Sequence, residues 1–208
     1  MLDRLLVPLD IAEIAEQVLP YVTLLARSLK QPVTLVSIVA DGGELNPLAS
    51  AHDAAIAVLI EQRQAYAQHY LDSVRARLEA EGVSASTVVA TGPVAESILA
   101  TATAQHSGLI AMATHGRVGP ERWFLGSVAD KVVRMAAAPV LLIRPREDHA
   151  AVAASVKEIL LPLDGSSLAE VALPYATLRT DADGLELGVT AAARAVTTRG
   201  RLTPGSTA

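Results

Sequence analysis

Residues Leu109 to Pro145 read LIAMATHGRVGPERWFLGSVADKVVRMAAAPVLLIRP, and this stretch decides the fold. It opens with an apolar run of strand length, Leu109 to Ala113. A loop follows, with glycines at Gly116, Gly119 and Gly126. From Gly126 and Ser127 onward, Val128, Val132, Val133 and Ala136 recur at helical spacing, which predicts an amphipathic helix. A second apolar run, Val140 to Ile143, lies between Pro139 and Pro145. Strand, glycine loop, helix and strand form the arrangement in which backbone N–H groups at a helix start can hold a phosphate.

Upstream, the same alternation repeats. Leu5 to Leu9 is a continuous apolar run ending in Asp10, the pattern of a buried strand. Ile14, Val18, Tyr21, Val22, Leu25 and Leu29 follow at helical spacing, and Pro20 inside that run predicts a kink. Val33 to Val39 is a β-branched second strand, and Asp41-Gly42-Gly43 with Asn46-Pro47 marks a loop. Between Ala54 and Glu81 one helical stripe runs through Ile56, Leu59, Ile60, Tyr66, Tyr70, Leu71, Val74 and Leu78. Gly82 is suited to end it. Thr87 to Ala90 is a short third strand, and Pro93 suits the first turn of a third helix with Ile98 and Leu99 inward. Five strands alternating with four helices imply parallel strands joined by right-handed crossovers, hence an open doubly wound α/β sheet. Ligands of such sheets lie at the carboxyl ends of the strands, where the strand order reverses. If strands one and four are neighbours there, Asp10 and the glycine loop face one crevice.

Downstream, the chain repeats itself. Ile159 to Asp164 echoes Leu5 to Asp10, Ala169-Glu170 echoes Ala15-Glu16, and Leu173 to Tyr175 echoes Leu19 to Tyr21, all at one displacement. The likeness stops near Arg179. The remainder shows neither a second strand of the expected kind nor a glycine loop, so an incomplete second domain is expected, of the sort a frameshift or a premature end produces. Residues 147–156 read as a linker.

Composition bounds the chemistry. At 208 residues, 51% hydrophobic and 19% charged, the chain can build a core, and with 3% aromatics that core is aliphatic. A formal charge of -5 argues against a general nucleic-acid binder. The absence of cysteine removes disulfides and thiolate metal sites. Neither a signal-peptide pattern nor a membrane-length apolar run is present, so the cytoplasm is the expected location.

On these residues the chain resembles the universal stress protein family, in its tandem form. Nucleotide-binding members carry Gly, two residues, Gly, nine residues, then Gly with Ser or Thr. The matching positions are Ala113, Gly116, Gly126 and Ser127, with the spacing kept and the first glycine replaced by alanine. The resemblance implies an adenine nucleotide alpha hydrolase-like fold over residues 1–146 and an incomplete second domain over 157–208. It implies ATP, with or without Mg, as the ligand. Pro8 and Asp10 would sit by the adenosine and Ile38 would flank the adenine. Gly116, Arg117 and Gly119 would line the phosphates, to which Gly126, Ser127 and Val128 would offer backbone N–H groups. It also implies a homodimer paired through Val140 to Ile143.

Simpler readings stand beside these. Ser127 is a good residue at any helix start, Gly126 suits any turn, and Asp10 could cap the first helix. His115 reads as a loop residue, Trp123 and Phe124 as loop anchors, and Arg122 as a surface cation. A helix start alone contributes only about 0.3–1 kcal/mol to an anion. Directed N–H bonds to charged oxygens contribute about 1.5–3 kcal/mol each. Micromolar affinity needs about 8 kcal/mol, so an apolar adenine slot is required as well. The expected function is regulatory ATP binding without efficient catalysis, because the loop lacks the Gly-Lys-Ser/Thr ending of a P-loop. No residue is assigned as catalytic or as a metal ligand. A stress scaffold that binds no nucleotide, and a slow ATPase or nucleotidyl-type transferase, remain open alternatives.

Overall fold

The computed structural model describes residues 3–40, 50–114, 125–145, 154, 158–174 and 186–191. The expected loops at 41–47 and 115–124, most of the linker and most of the tail lie outside the described residues. Two units divide the chain, residues 1–153 and 154–208.

The first unit runs β1 (Leu5–Pro8), a 3-10 segment (Glu13–Val18), α1 (Leu19–Leu29), β2 (Val33–Val39) and α2 (Ser50–Ala80). It continues through β3 (Ala85–Thr91), α3 (Val94–Ala104), β4 (Leu109–Ala113), α4 (Ser127–Met135) and β5 (Val140–Ile143). All five strands are parallel, in the order β3-β2-β1-β4-β5. The order reverses between β1 and β4, so the switch point falls between Asp10 and the glycine loop, as the alternation of elements predicts.

The strands alternate their faces. Leu5, Val7 and Leu9 pack with Val33, Leu35 and Ala111 in the core that takes in α1 and the C-terminal half of α2. Leu6, Val36, Ile110 and Met112 pack with Ile98 of α3 and Val132 of α4 on the other side. Covered on both faces, β1, β2 and β4 need apolar residues at almost every position, which is why they appear in the sequence as continuous runs. At the amino-terminal end of the sheet, Arg4 donates to Thr34 Oγ1 at 3.1 Å and Thr34 lies 3.2 Å from Ser86 Oγ, which satisfies the buried threonine.

Several local expectations are corrected. Pro20 does not kink a helix. The backbone is 3-10 up to Val18 and α-helical from Leu19, so Pro20 stands in the first α turn, where its missing N–H has no helical acceptor to lose. Pro93 is the N-cap of α3 rather than a first-turn residue. On α4 the buried residues are Ala129 and Val132, while Val133 is exposed, because a strict helical period carries it off the core face. The stripe on α2 is buried only in its second half, at Ala67, Leu71, Val74 and Leu78. Leu59 is 44% and Tyr66 63% exposed. Ile56 lies outside the residues described at side-chain level. A helix of 31 residues is about 46 Å long, twice the roughly 23 Å of a seven-residue strand, so its first half overhangs the sheet. Gly82 ends the helix as expected, with φ +79° and the Val83 N–H donating to the Leu78 carbonyl at 2.9 Å.

Two buried side-chain atoms on α2 have no hydrogen-bond partner among the described residues, Arg75 Nε and the Tyr70 hydroxyl. Burial, and the Glu16 carboxylate beside it, raise its phenol well above the ordinary tyrosine range. Glu16 itself accepts from Arg77 at 2.6 Å. Tyr70→Phe keeps the ring and removes the desolvated oxygen together with its interaction with Glu16, so it is expected to change stability by no more than about 1 kcal/mol. A urea-unfolding midpoint checks this; a clear loss of stability would show that the hydroxyl is bonded.

In the second unit, β6 (Glu158–Leu163) leads into α5 (Ser167–Glu170), and β7 (Glu186–Ala191) pairs with β6 in parallel across six positions. β7 corrects the expectation that the remainder holds no second strand of the expected kind. Gly188 interrupts the β-branched run by which a strand is read, yet Val189 and Thr190 keep the ladder in register with Leu161 and Pro162. Leu168 is 83% exposed and Leu160 and Val171 are also exposed, since the described residues of this unit offer only two strands and one four-residue helix to cover them. No helix among the described residues is long and apolar enough to cross a membrane.

Candidate functional site

β1 pairs with β4 only at Leu5↔Leu109 and Leu6↔Ile110. Beyond that the strands part. Pro8 has no N–H to give, the Leu9 N–H donates to Val36 at 2.8 Å, and the Thr114 N–H donates to Ile143 at 2.8 Å. β1 thus follows β2, β4 follows β5, and a cleft opens between the two pairs at the carboxyl end of the sheet. Its cavity measures about 710 Å³, within the range of small-molecule sites.

Seven of the residues singled out by sequence line this cavity. Pro8 and Asp10 come from the end of β1, Ile38 from β2 and Ala113 from β4. Gly126, Ser127 and Val128 form the start of α4 on the opposite wall. Gly116, Arg117 and Gly119 lie outside the described residues, as do His115, Arg122, Trp123 and Phe124. Sequence reading missed the floor, which consists of Val94, Ile98, Met112 and Ala129. The signal was there: Val94 and Ile98 share a helix face four residues apart, and Met112 alternates with Ile110 on the α3–α4 side of β4.

Gly126 is the N-cap of α4, at φ −57° and ψ 150°, and its carbonyl accepts the first helical bond from the Asp130 N–H at 2.9 Å. The amides of Ser127, Val128 and Ala129 therefore have no acceptor within the helix, and they stand at the cavity wall. No side chain caps this end. Ser127 sits one residue inside the cap, so capping is not what its hydroxyl does here. Lys131 ties the helix to Glu96 of α3, and Arg134 pairs with Asp130 one turn earlier on the same helix at 2.9 Å. Those cations hold the Glu96 and Asp130 carboxyls below the usual carboxylate range.

Asp10 is the titratable group among the described lining residues. Its Oδ1 accepts from the Ala12 N–H at 3.3 Å, closing a tight turn over Ile11, whose φ of 71° is unusual for a β-branched residue. The second copy makes the same turn without strain. The Ser166 N–H donates to Asp164 Oδ1 at 2.8 Å across Gly165, at φ +81°, and Ser166 caps α5 by accepting from Ala169. Hydrogen bonds from Ser166 hold the Asp164 carboxyl below its usual range.

The cleft is thus a largely apolar slot lined by the start of α4, whose first amides have no acceptor within the helix, with Asp10 and Ser127 as the hydrogen-bonding side chains among its described lining. No group of three metal-ligating side chains occurs among the described residues.

Comparison with known proteins gives a consistent answer. The model of the universal stress protein family matches residues 1–144. The universal stress protein MJ0531 of Methanocaldococcus jannaschii is 38% identical over 77 residues, covering 37% of this chain and 45% of that protein. The match thus spans less than half the length of that curated relative. A universal stress protein from Archaeoglobus fulgidus superposes with a TM-score of 0.71 at 22% identity, covering 92% of this chain and 67% of the other. The universal stress protein UspA from Lactobacillus plantarum gives 0.60 at 22% identity, covering 69% and 98%. At these identities the solved structures are evidence of the fold.

Proposed function

Because this chain belongs to the universal stress protein family, we propose that it binds ATP in the cleft between β1 and β4 and acts as a stress-response regulator rather than an efficient catalyst. One observation carries the reading: a largely apolar slot of nucleotide size is lined by the start of α4, where the amides of Ser127, Val128 and Ala129 have no acceptor within the helix. In this arrangement the adenine lies between Ile38 and the floor of Val94, Ile98 and Met112. Asp10 accepts from the ribose hydroxyls. The phosphates meet the start of α4 and the loop residues Gly116, Arg117 and Gly119. A magnesium ion would arrive with the phosphates, since the described lining offers only the carboxylate of Asp10. The complete domain is residues 1–146 and the incomplete one 157–208, joined by the linker 147–156. β5 stands at the sheet edge with all four residues half-buried, which supports pairing of two chains through it.

Calorimetry with ATP tests the site. The expected result is one nucleotide per chain with micromolar affinity, and at a hundredfold excess over Kd a stabilisation of about 2.7 kcal/mol in thermal unfolding. Absence of both heat and thermal shift at millimolar ATP would overturn it. That outcome would favour a scaffold role, for which one observation speaks: Ala113 brings a methyl group to the cavity wall where nucleotide-binding relatives carry glycine.

A further inference from the structure

A second cavity, of about 440 Å³, lies on the other face of the sheet, between the end of β2 and the overhanging first half of α2. We propose that it is a binding site for a small aromatic carboxylate, distinct from the cleft between β1 and β4. Three features of its wall point there.

The first is a cation in search of a partner. Arg63 lines the cavity, and its guanidinium makes no ion pair or hydrogen bond with another described residue. Its planar fork matches a carboxylate. The second is a buried donor. Ser37 is 3% exposed, lines the cavity, and makes no side-chain hydrogen bond to another described residue. The hydroxyl opens to the cavity, where a polar atom of a ligand would take the place of water. The third is apolar surface of the right kind. Tyr66 and Leu59 of α2 line the cavity together with Val39 and Ile11. Ile11 keeps a left-handed backbone at φ 71°, where the second copy has Gly165, and its side chain forms part of this wall. Strain of that kind, held beside a cavity, is characteristic of binding sites.

The choice of anion follows from Asp10, which lines both cavities. Its negative charge opposes a phosphate dianion more than a carboxylate, and the ring of Tyr66 favours an aromatic body over a bare ion.

The probe is 4-hydroxyphenylacetate, titrated into the full chain and followed by NMR. Saturable shifts are expected at Leu59, Arg63 and Tyr66. Arg63→Met, which keeps the stem and removes the charge, is expected to weaken binding about tenfold or more, and the neutral 4-hydroxyphenylacetamide by a similar factor. Tyr66→Ala is expected to weaken it as well. Both side chains are exposed, so neither variant threatens folding. Unchanged affinity in Arg63→Met would overturn the proposal. So would shifts centred on Ile98 and Met112, equal competition by inorganic phosphate, or failure to saturate. The readout needs no nucleotide, so it stands or falls apart from the ATP reading.

Discussion

ATP titrated into the Gly126→Val, Ser127→Ala double variant is expected to release no binding heat, with affinity falling from micromolar to weaker than millimolar. The reasoning rests on the start of α4. Three of its amides reach the cleft without helical acceptors, and the phosphate contacts proposed for them contribute about 1.5–3 kcal/mol each. Removing the Ser127 hydroxyl alone takes away one donor, which corresponds to about ten- to a hundredfold in affinity. Valine at 126 adds a branched Cβ at the wall where the phosphates must approach. Gly126 has a φ of −57°, which any residue adopts, so valine brings no left-handed strain. It is a poor N-cap, at a cost of about 1 kcal/mol, or a few degrees in Tm for a chain of this size. A small Tm change with complete loss of ATP heat therefore supports the site. Unchanged affinity in calorimetry would place the nucleotide elsewhere.

The largest stability effect is expected at Leu71. It is fully buried against the sheet, and Leu71→Ala is expected to cost about 2–5 kcal/mol, the lost transfer energy plus the cavity left behind. Leu59→Ala, three turns earlier on the same helix and in the same sequence stripe, is expected to change stability by no more than about 0.5 kcal/mol. Paired denaturant-unfolding curves measure the contrast. Equal losses at the two positions would mean that the first half of α2 is packed, contrary to the overhang that also shapes the second cavity. The contrast thus bears on function as well as on packing.

These two experiments mark where sequence reading succeeds and where it stops. The start of α4 is legible because its signals are local: a glycine at a turn, a serine one residue later, and apolar residues at helical spacing after them. The stripe on α2 was legible as a helix, but not as half-buried. A helical period states which residues share a face and says nothing about whether a sheet lies opposite them. Pro20 shows the same limit, since one proline ends, kinks or begins a helix according to where the backbone hydrogen bonds start.

The sequence alone determined the order of the elements and the parallel sheet, because strands covered on both faces must be apolar at nearly every position. It also determined the family, through glycine spacing and the repeated Pro-Leu-Asp. Only the tertiary structure decided that β1 and β4 separate after two paired residues, which opens the cleft, and that Val94, Ile98 and Met112 form its floor. It alone decided that β7 completes a pair with β6, and that Ser37, Arg63 and Tyr66 surround a second cavity. The physical reason is common to all four. Local patterns fix which way a side chain faces within its own element, whereas a cleft, a sheet partner or a cavity is set by the lengths and spacing of elements distant in the chain.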